Sequence, residues 1–140
     1  MPVATSVTVN KLGGFLETRQ RIISTGLKLH LGGIEIFRGR YGDPVVMAMA
    51  PKWAYLGRID SNGDFWPSKE AREMPAAAKR HLWHNMTKLR LALDKFLKEY
   101  GNATGVCACC GATLTNDESK ARGVGPVCAG KYMRGGNGKT

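Results

Sequence analysis

The strongest constraint on this chain is the position of its four cysteines, which all lie in the last quarter of its 140 residues. Cys107 and Cys110 are separated by two residues, so both thiolates can reach one metal ion from a tight turn. Gly111 follows them and lets the chain curl. Cys128 returns from a glycine-bounded turn as a third ligand. A disulfide framework is disfavoured, because the chain shows no secretory signal and is long enough to form its own core. The spacing therefore predicts a zinc site.

The fourth ligand of this site stays open. A second Cys-x2-Cys pair would place a cysteine at position 131, where the chain has Lys131. Cys109 is a candidate, although neighbouring residues of an extended chain point in opposite directions and would share one ion with difficulty. The remaining candidates are His81, His84 and Asp117. For the two histidines we favour the simpler interpretation of surface residues on a basic helix.

The hydrophobic pattern of the first half changes its period. Apolar residues at helical spacing predict a short helix from Leu12 to Thr25, with Gly26 as its C-terminal cap. From Leu27 the alternation has a period of two, and Gly32-Gly33 makes a turn between two strands. Further strands are predicted over 45–49 and 53–60, and Asn62-Gly63 predicts a type I′ turn leading into residues 65 and 66. Residues 27–66 therefore form an antiparallel sheet.

A long amphipathic helix is predicted from Pro75 to Tyr100, ending at Gly101. One stripe of this helix is apolar and must be buried: Leu82, Met86, Leu89, Leu93, Phe96 and Tyr100. The opposite side is mainly basic: Arg80, His84, Lys88, Lys95 and Lys98.

These patterns predict an α+β fold, in which a small antiparallel sheet packs with a short N-terminal helix and a long amphipathic helix. A zinc-knuckle or treble-clef-like module follows. We divide the chain into residues 1–66, the N-terminal helix and sheet, and 67–104, the long helix and linker of the same domain. Residues 105–133 form the module, with Pro126 suited to the entry of a short terminal helix, and residues 134–140 a flexible tail.

The charge of the chain indicates the kind of partner. Twenty-one Lys and Arg against eleven Asp and Glu leave a formal charge of +10, which favours contact with a polyanion such as nucleic acid. The excess is spread over the chain: +3 in residues 1–66, +4 in 67–106 and +3 in 107–140. A basic tail on a neutral domain is therefore excluded. The longest apolar run has six residues, 45–50, far short of the roughly 20 that a membrane span needs, so we expect a cytoplasmic protein.

The cysteine segment resembles the C-terminal module of small, uncharacterised bacteriophage and prophage proteins. The shared pattern is Cys-x2-Cys, Leu-Thr-Asp, Ser and Gly-x-Gly-Pro-x-Cys-Ala, carried here by Cys107, Cys110, Leu114, Thr115, Ser119, Gly123, Gly125, Pro126 and Cys128. An upstream hairpin, Gly57-Arg58-Ile59-Asp60, is similar to one that precedes the module in some of those proteins. Two residues depart from the pattern. Asn116 replaces an aspartate, and Cys109 occupies a commonly aromatic position, which favours a packing role for Cys109. The resemblance implies a phage protein in the bacterial cytoplasm and transfers no activity.

Three functions compete. The leading hypothesis is a non-enzymatic protein with structural zinc that binds DNA, RNA or a nucleic-acid-associated host complex by electrostatic contact with phosphates. Trp53, Tyr55, Phe65 or Trp66 could add stacking if the sheet face is open. The second is a phage protein that inhibits a host protein with an acidic surface. The third is a zinc-assisted nuclease, although the module has no histidine beside the ion. The predicted contact residues are Arg80, His84, Lys88, Lys95, Lys98, Lys120, Arg122 and Lys131.

Overall fold

The computed structural model describes residues 11–49, 53–90, 92–125 and 128–130. Predictions for Pro126, Lys131 and the tail 134–140 lie outside these residues. Within the described ranges, one helix precedes five consecutive strands, and four helices follow them. In chain order they are α1 (Leu16–Thr25), β1 (Leu29–His30), β2 (Ile34–Arg38), β3 (Pro44–Ala48), β4 (Ala54–Ile59), β5 (Phe65–Pro67), α2 (Lys69–Arg72), α3 (Ala76–Leu89), α4 (Leu93–Thr104) and α5 (Asp117–Arg122).

The five strands form one antiparallel sheet in the order β1-β2-β3-β4-β5, which confirms the predicted α+β fold with an antiparallel sheet. Gly32 and Gly33 both have positive φ, 62° and 91°, as the tight turn between β1 and β2 requires. The register between β3 and β4 shifts after Val46, so that Leu56 is the extra residue of a β-bulge.

The turn between β4 and β5 differs from the predicted type I′ turn. Its hydrogen bond runs from the Gly63 amide to the Asp60 carbonyl, 2.9 Å, so Ser61 and Asn62 are the central residues. Gly63 follows the turn at φ 81°, and the Asp60 carboxylate accepts from the Asn62 amide at 2.9 Å. The hairpin is therefore one residue longer than the Asn-Gly pair predicts, because the Asp60 side chain organises the loop.

The N-terminal helix begins four residues later than predicted. Leu12 pairs with Phe65 at the edge of β5 instead of entering the helix. Gly14 lies between this bridge and α1, and its positive φ of 99° is not a helical conformation, so the helix cannot extend through it. The C-terminal end is as predicted, since Gly26 caps α1 in the left-handed conformation.

The predicted long helix is two helices. Arg90 follows the last turn of α3 and its Nε donates to the Gly13 carbonyl at 2.7 Å, while Ala92 is extended, at φ −156°. A helix of 26 residues would be roughly 39 Å long, about twice the length of a six-residue strand. The interruption keeps both halves on the core. The apolar stripe is buried as predicted, with Tyr100 half-buried.

α4 also ends later than predicted. Gly101 lies inside it, and the cap is Gly105, at φ 78°. None of the helices in the described ranges has the length and apolar character that crossing a membrane requires.

Candidate metal centre

A short hairpin positions the first two cysteines of the cluster. Val106 and Thr113 form an isolated antiparallel bridge, and the Cys107 amide donates to the Ala112 carbonyl at 2.9 Å. The Gly111 amide donates to the Cys107 carbonyl at 2.7 Å and closes the turn. Gly111 has φ 78°, a conformation that favours glycine. The turn therefore places Cys107 and Cys110 on the same side of one loop.

The sulfur of Cys107 lies among hydrogen-bond donors. It accepts from the Cys109 thiol and from the backbone amides of Gly125, Cys109 and Cys110. These bonds stabilise the thiolate against the opposing effect of burial and lower the pKa of Cys107 from 9.0 to about 4. The turn thus surrounds this sulfur with donors that favour the thiolate, which is the form of cysteine that binds metals.

Cys128 is brought to the hairpin by α5 and the turn that follows it. The Asn116 side chain caps α5 by accepting from the Ser119 amide at 2.7 Å, and Gly123 ends the helix at φ 87°. Residues 128–130 are again helical, with the Ala129 amide bonded to the Gly125 carbonyl at 2.9 Å. Burial and the charge of Cys107 raise the pKa of Cys128 to about 12. A cation between these sulfurs would reverse that effect.

The sulfurs of Cys107, Cys110 and Cys128 all lie within 4.8 Å of one another. Tetrahedral zinc with Zn–S bonds of about 2.3 Å holds its sulfurs about 3.8 Å apart, so small side-chain movements suffice for all three to share one ion. Cys107 and Cys128 are buried while Cys110 is exposed. We call these three residues the cysteine trio. Its geometry fits a metal ion.

Cys109 lies outside the cysteine trio. Its side chain is buried, with 4% exposure, and its hydrogen bond to Cys107 raises the pKa of Cys109, as does burial. Its burial and its position outside the cysteine trio favour the packing role over a role as fourth ligand.

The other predicted candidates for a fourth ligand are not brought to the trio in the described part of the chain. The Nε2 atom of His81 lies 3.1 Å and 3.0 Å from the carbonyl oxygens of Leu31 and Gly32, so this histidine holds the β1–β2 turn. His84 is exposed on α3, and Asp117 is exposed in the first turn of α5.

The cysteine segment is packed directly on α4. Gly101 faces the backbone of Gly123 so closely that a Cβ atom at position 101 would overlap the Gly123 carbonyl group. A Cβ at position 123 would in turn overlap the backbone of Lys98. The His30 amide also donates to the Ala108 carbonyl, joining the edge of β1 to the hairpin. The cysteines are therefore positioned by both the sheet and α4.

Two features of this region were missed at the level of sequence. The sequence predicts Gly101 as a helix stop, whereas in the structure it lies within α4 and allows close backbone packing. The second feature is the contact between His30 and Glu35, whose Nδ1 and Oε2 atoms lie 2.9 Å apart. Glu35 is almost fully buried, and its alternation with Ile34 and Ile36 in β2 could have identified it as the polar partner.

Four of the predicted contact residues line adjoining hollows along α3 and α4. Arg80, His84 and Lys88 line an open groove of about 730 Å³ along α3, and His84 and Lys88 also line a hollow of about 360 Å³ between α3 and α4. Lys88 and Lys95 line a smaller hollow beside it, of about 120 Å³. We call these connected hollows, which share Lys88, the helical cleft.

Three other predicted contact residues belong to α4 and α5. Lys98 and Lys120 are exposed but do not line the helical cleft. Arg122 is half-buried, and its Nε donates to the Val124 carbonyl at 3.2 Å, so it supports the turn before Cys128.

Residues 98–132, which are 35 of the 140 residues, match a protein family described as a family of unknown function, DUF6011. The matched segment starts inside α4 and contains all four cysteines, together with Gly101 and Gly123. No curated protein and no solved structure matches the chain. The fold and the site together define a small α+β protein whose clustered cysteines can bind a metal ion.

Proposed function

We propose that the protein is a non-enzymatic nucleic-acid-binding protein whose fold is stabilised by one zinc ion on the cysteine trio. The donor set supports zinc, because three thiolates are soft ligands that select zinc over magnesium or calcium. The ion would replace mutual repulsion among the sulfurs by attraction and join the hairpin to the segment after α5. The resemblance of the cysteine segment to phage and prophage proteins supports an accessory role during infection.

The observation that carries the nucleic-acid proposal is the charge of the helical cleft. Arg80 and Lys88 are exposed and lie within ion-pair distance of no carboxylate in the described ranges. Lys95 is 4.0 Å from Glu99, the one acidic residue that lines these hollows. The unpaired cations favour a polyanion, and its phosphates would release counterions on binding.

The proposal predicts a strong salt dependence of binding. Affinity for fluorescein-labelled DNA or RNA should fall linearly with the logarithm of the salt concentration, with a slope of about −0.9 per neutralised phosphate of a duplex. Arg80→Gln and Lys88→Gln should each reduce the steepness of this slope by about 1. Fluorescence anisotropy across a salt series measures both quantities.

Lys69→Gln is the matched control, since Lys69 is an exposed cation of α2 outside the helical cleft. Its slope should equal that of the unmodified protein. Absence of binding at low salt, or equal slopes for Arg80→Gln and the unmodified protein, would contradict the proposal.

A further inference from the structure

The strand register places two rows of side chains on one face of the sheet. One row crosses four strands through the pairs Phe37–Val45, Val45–Arg58 and Arg58–Trp66. The second row consists of His30, Glu35, Met47 and Tyr55, which are paired in the same way. Since side chains alternate between the faces of a strand, the core residues Ile36 and Val46 lie on the opposite face. We call the face with the two rows the outer sheet face.

Aromatic rings on this face reach solvent. Tyr55 is 41% exposed and Trp66 is 38% exposed, and Trp53, immediately before β4, is 57% exposed. Phe65, which the sequence had offered as another stacking residue, is fully buried in the core and is excluded. The apolar side chains next to these rings, Val45 and Met47, are only partly buried. These exposed rings on one face of the sheet are available for contact with a partner.

The charges around the outer sheet face select the partner. Its carboxylates are already engaged: Glu35 with His30, Asp43 with Arg19 and Arg58, Asp64 with Lys11, and Asp60 with the Trp66 indole, whose N–H donates to the carboxylate at 2.7 Å. Cations lie over the rings, with the Lys28 ammonium 5.4 Å from the centre of Phe37 and that of Lys11 5.7 Å from Trp66. Lys28 has no carboxylate within ion-pair distance in the described ranges.

We propose that the outer sheet face binds the bases of single-stranded nucleic acid, which stack on Tyr55, Trp66 and Trp53 while Lys28 contacts phosphates. Rings interleaved with cations suit this ligand, because a single strand exposes both the π-faces of its bases and its phosphates. A duplex hides the base faces and would contact the cations alone. This inference rests on the proposed function and specifies which nucleic acid the protein prefers.

The test compares an oligothymidylate of about 20 nucleotides with a duplex of the same length. Tyr55→Leu and Trp53→Leu should each weaken binding of the oligothymidylate by about 5- to 100-fold and change duplex binding by less than about twofold. Tyr55→Phe is the matched control, since it retains the ring and should bind as the unmodified protein does. Thermal unfolding of each variant shows that the fold is retained.

A second readout does not depend on these variants. The chain has three tryptophans, and Trp83, packed edge-on against Phe65 at 5.8 Å, can be replaced by phenylalanine. In Trp83→Phe the fluorescence comes from Trp53 and Trp66. Oligothymidylate should quench it through stacking, and the duplex should not. Saturating oligothymidylate without quenching would overturn the inference.

The outcomes separate the two proposals. If the unmodified protein binds neither nucleic acid, the proposed function fails and the inference fails with it. If it binds both and only Arg80→Gln or Lys88→Gln weakens binding, the proposed function holds and this inference is wrong. If Tyr55→Leu weakens binding of polyaspartate as much as that of oligothymidylate, the face recognises an acidic protein, which also overturns the inference.

Discussion

Gly101→Ala tests the packing of the cysteine segment on α4. In a solvent-exposed helix this change stabilises by about 1 kcal/mol, because alanine has the higher helix propensity. Here the added methyl group would overlap the carbonyl group of Gly123. That group belongs to the backbone and cannot rotate away as a flexible side chain could. The substitution must therefore separate α4 from the turn before Cys128.

The two effects have opposite signs, and the overlap should decide the result. Overpacking a closely fitted interior costs about 1–3 kcal/mol, and a backbone contact places the cost near the upper limit. Subtracting the gain in propensity leaves a loss of about 2 kcal/mol in the free energy of unfolding. For a domain of this size the unfolding temperature should fall by about 8 °C.

The assay is urea unfolding followed by circular dichroism, with thermal unfolding as the second measurement. Asn102→Ala is the control, because residue 102 is the exposed neighbour in α4 and should gain slightly in stability. A Gly101→Ala protein as stable as the unmodified one, or more stable, would refute the close packing of α4 on Gly123.

Two further predictions concern the thiols. Cys109→Ser should retain the metal ion, because Cys109 lies outside the cysteine trio, whereas Cys128→Ser should lose it. Spectrophotometric titration with cobalt distinguishes the two variants. Loss of cobalt binding in both would contradict the assignment of the ligands. In protein freed of metal by a chelator, folding lowers the pKa of Cys107 from its ordinary 9.0 to about 4. The Cys107 thiolate therefore stabilises the folded state fully above pH 9, and this contribution is lost as the pH falls through about 4. Between pH 6 and 8 the free energy of unfolding should therefore rise by about 1 kcal/mol per pH unit relative to Cys107→Ser, and parallel pH profiles in urea unfolding would contradict this.

Local patterns predicted those parts of the fold that depend on local interactions. The alternation around Gly32-Gly33 predicts a hairpin because both glycines accept positive φ, and the structure has that hairpin. The buried stripe from Leu82 to Phe96 was predicted from periodicity alone. The Cys-x2-Cys spacing and the glycines around Cys128 likewise predicted the three sulfurs that the structure brings together.

Interactions between distant residues account for what the patterns missed. No glycine or proline lies between Leu89 and Leu93, so no residue type marks the break between α3 and α4. Beside the break, the Arg90 side chain donates to the carbonyl of Gly13, which is 77 positions away. The pattern predicts that the helix ends at Gly101, but α4 continues to Thr104. Gly101 is needed there because it packs against Gly123, a residue more than twenty positions away that no local pattern reveals. The same break divides the predicted basic side of the helix: Arg80, His84 and Lys88 lie on α3, and Lys95 and Lys98 lie on α4.

The metal content of the purified protein tests the central claim most directly. Native mass spectrometry after addition of one equivalent of zinc should show one ion bound per chain, and Cys110→Ser should lose it while remaining folded in the sheet. A protein that stays metal-free under these conditions, with all four thiols reactive toward an alkylating reagent, would contradict the account.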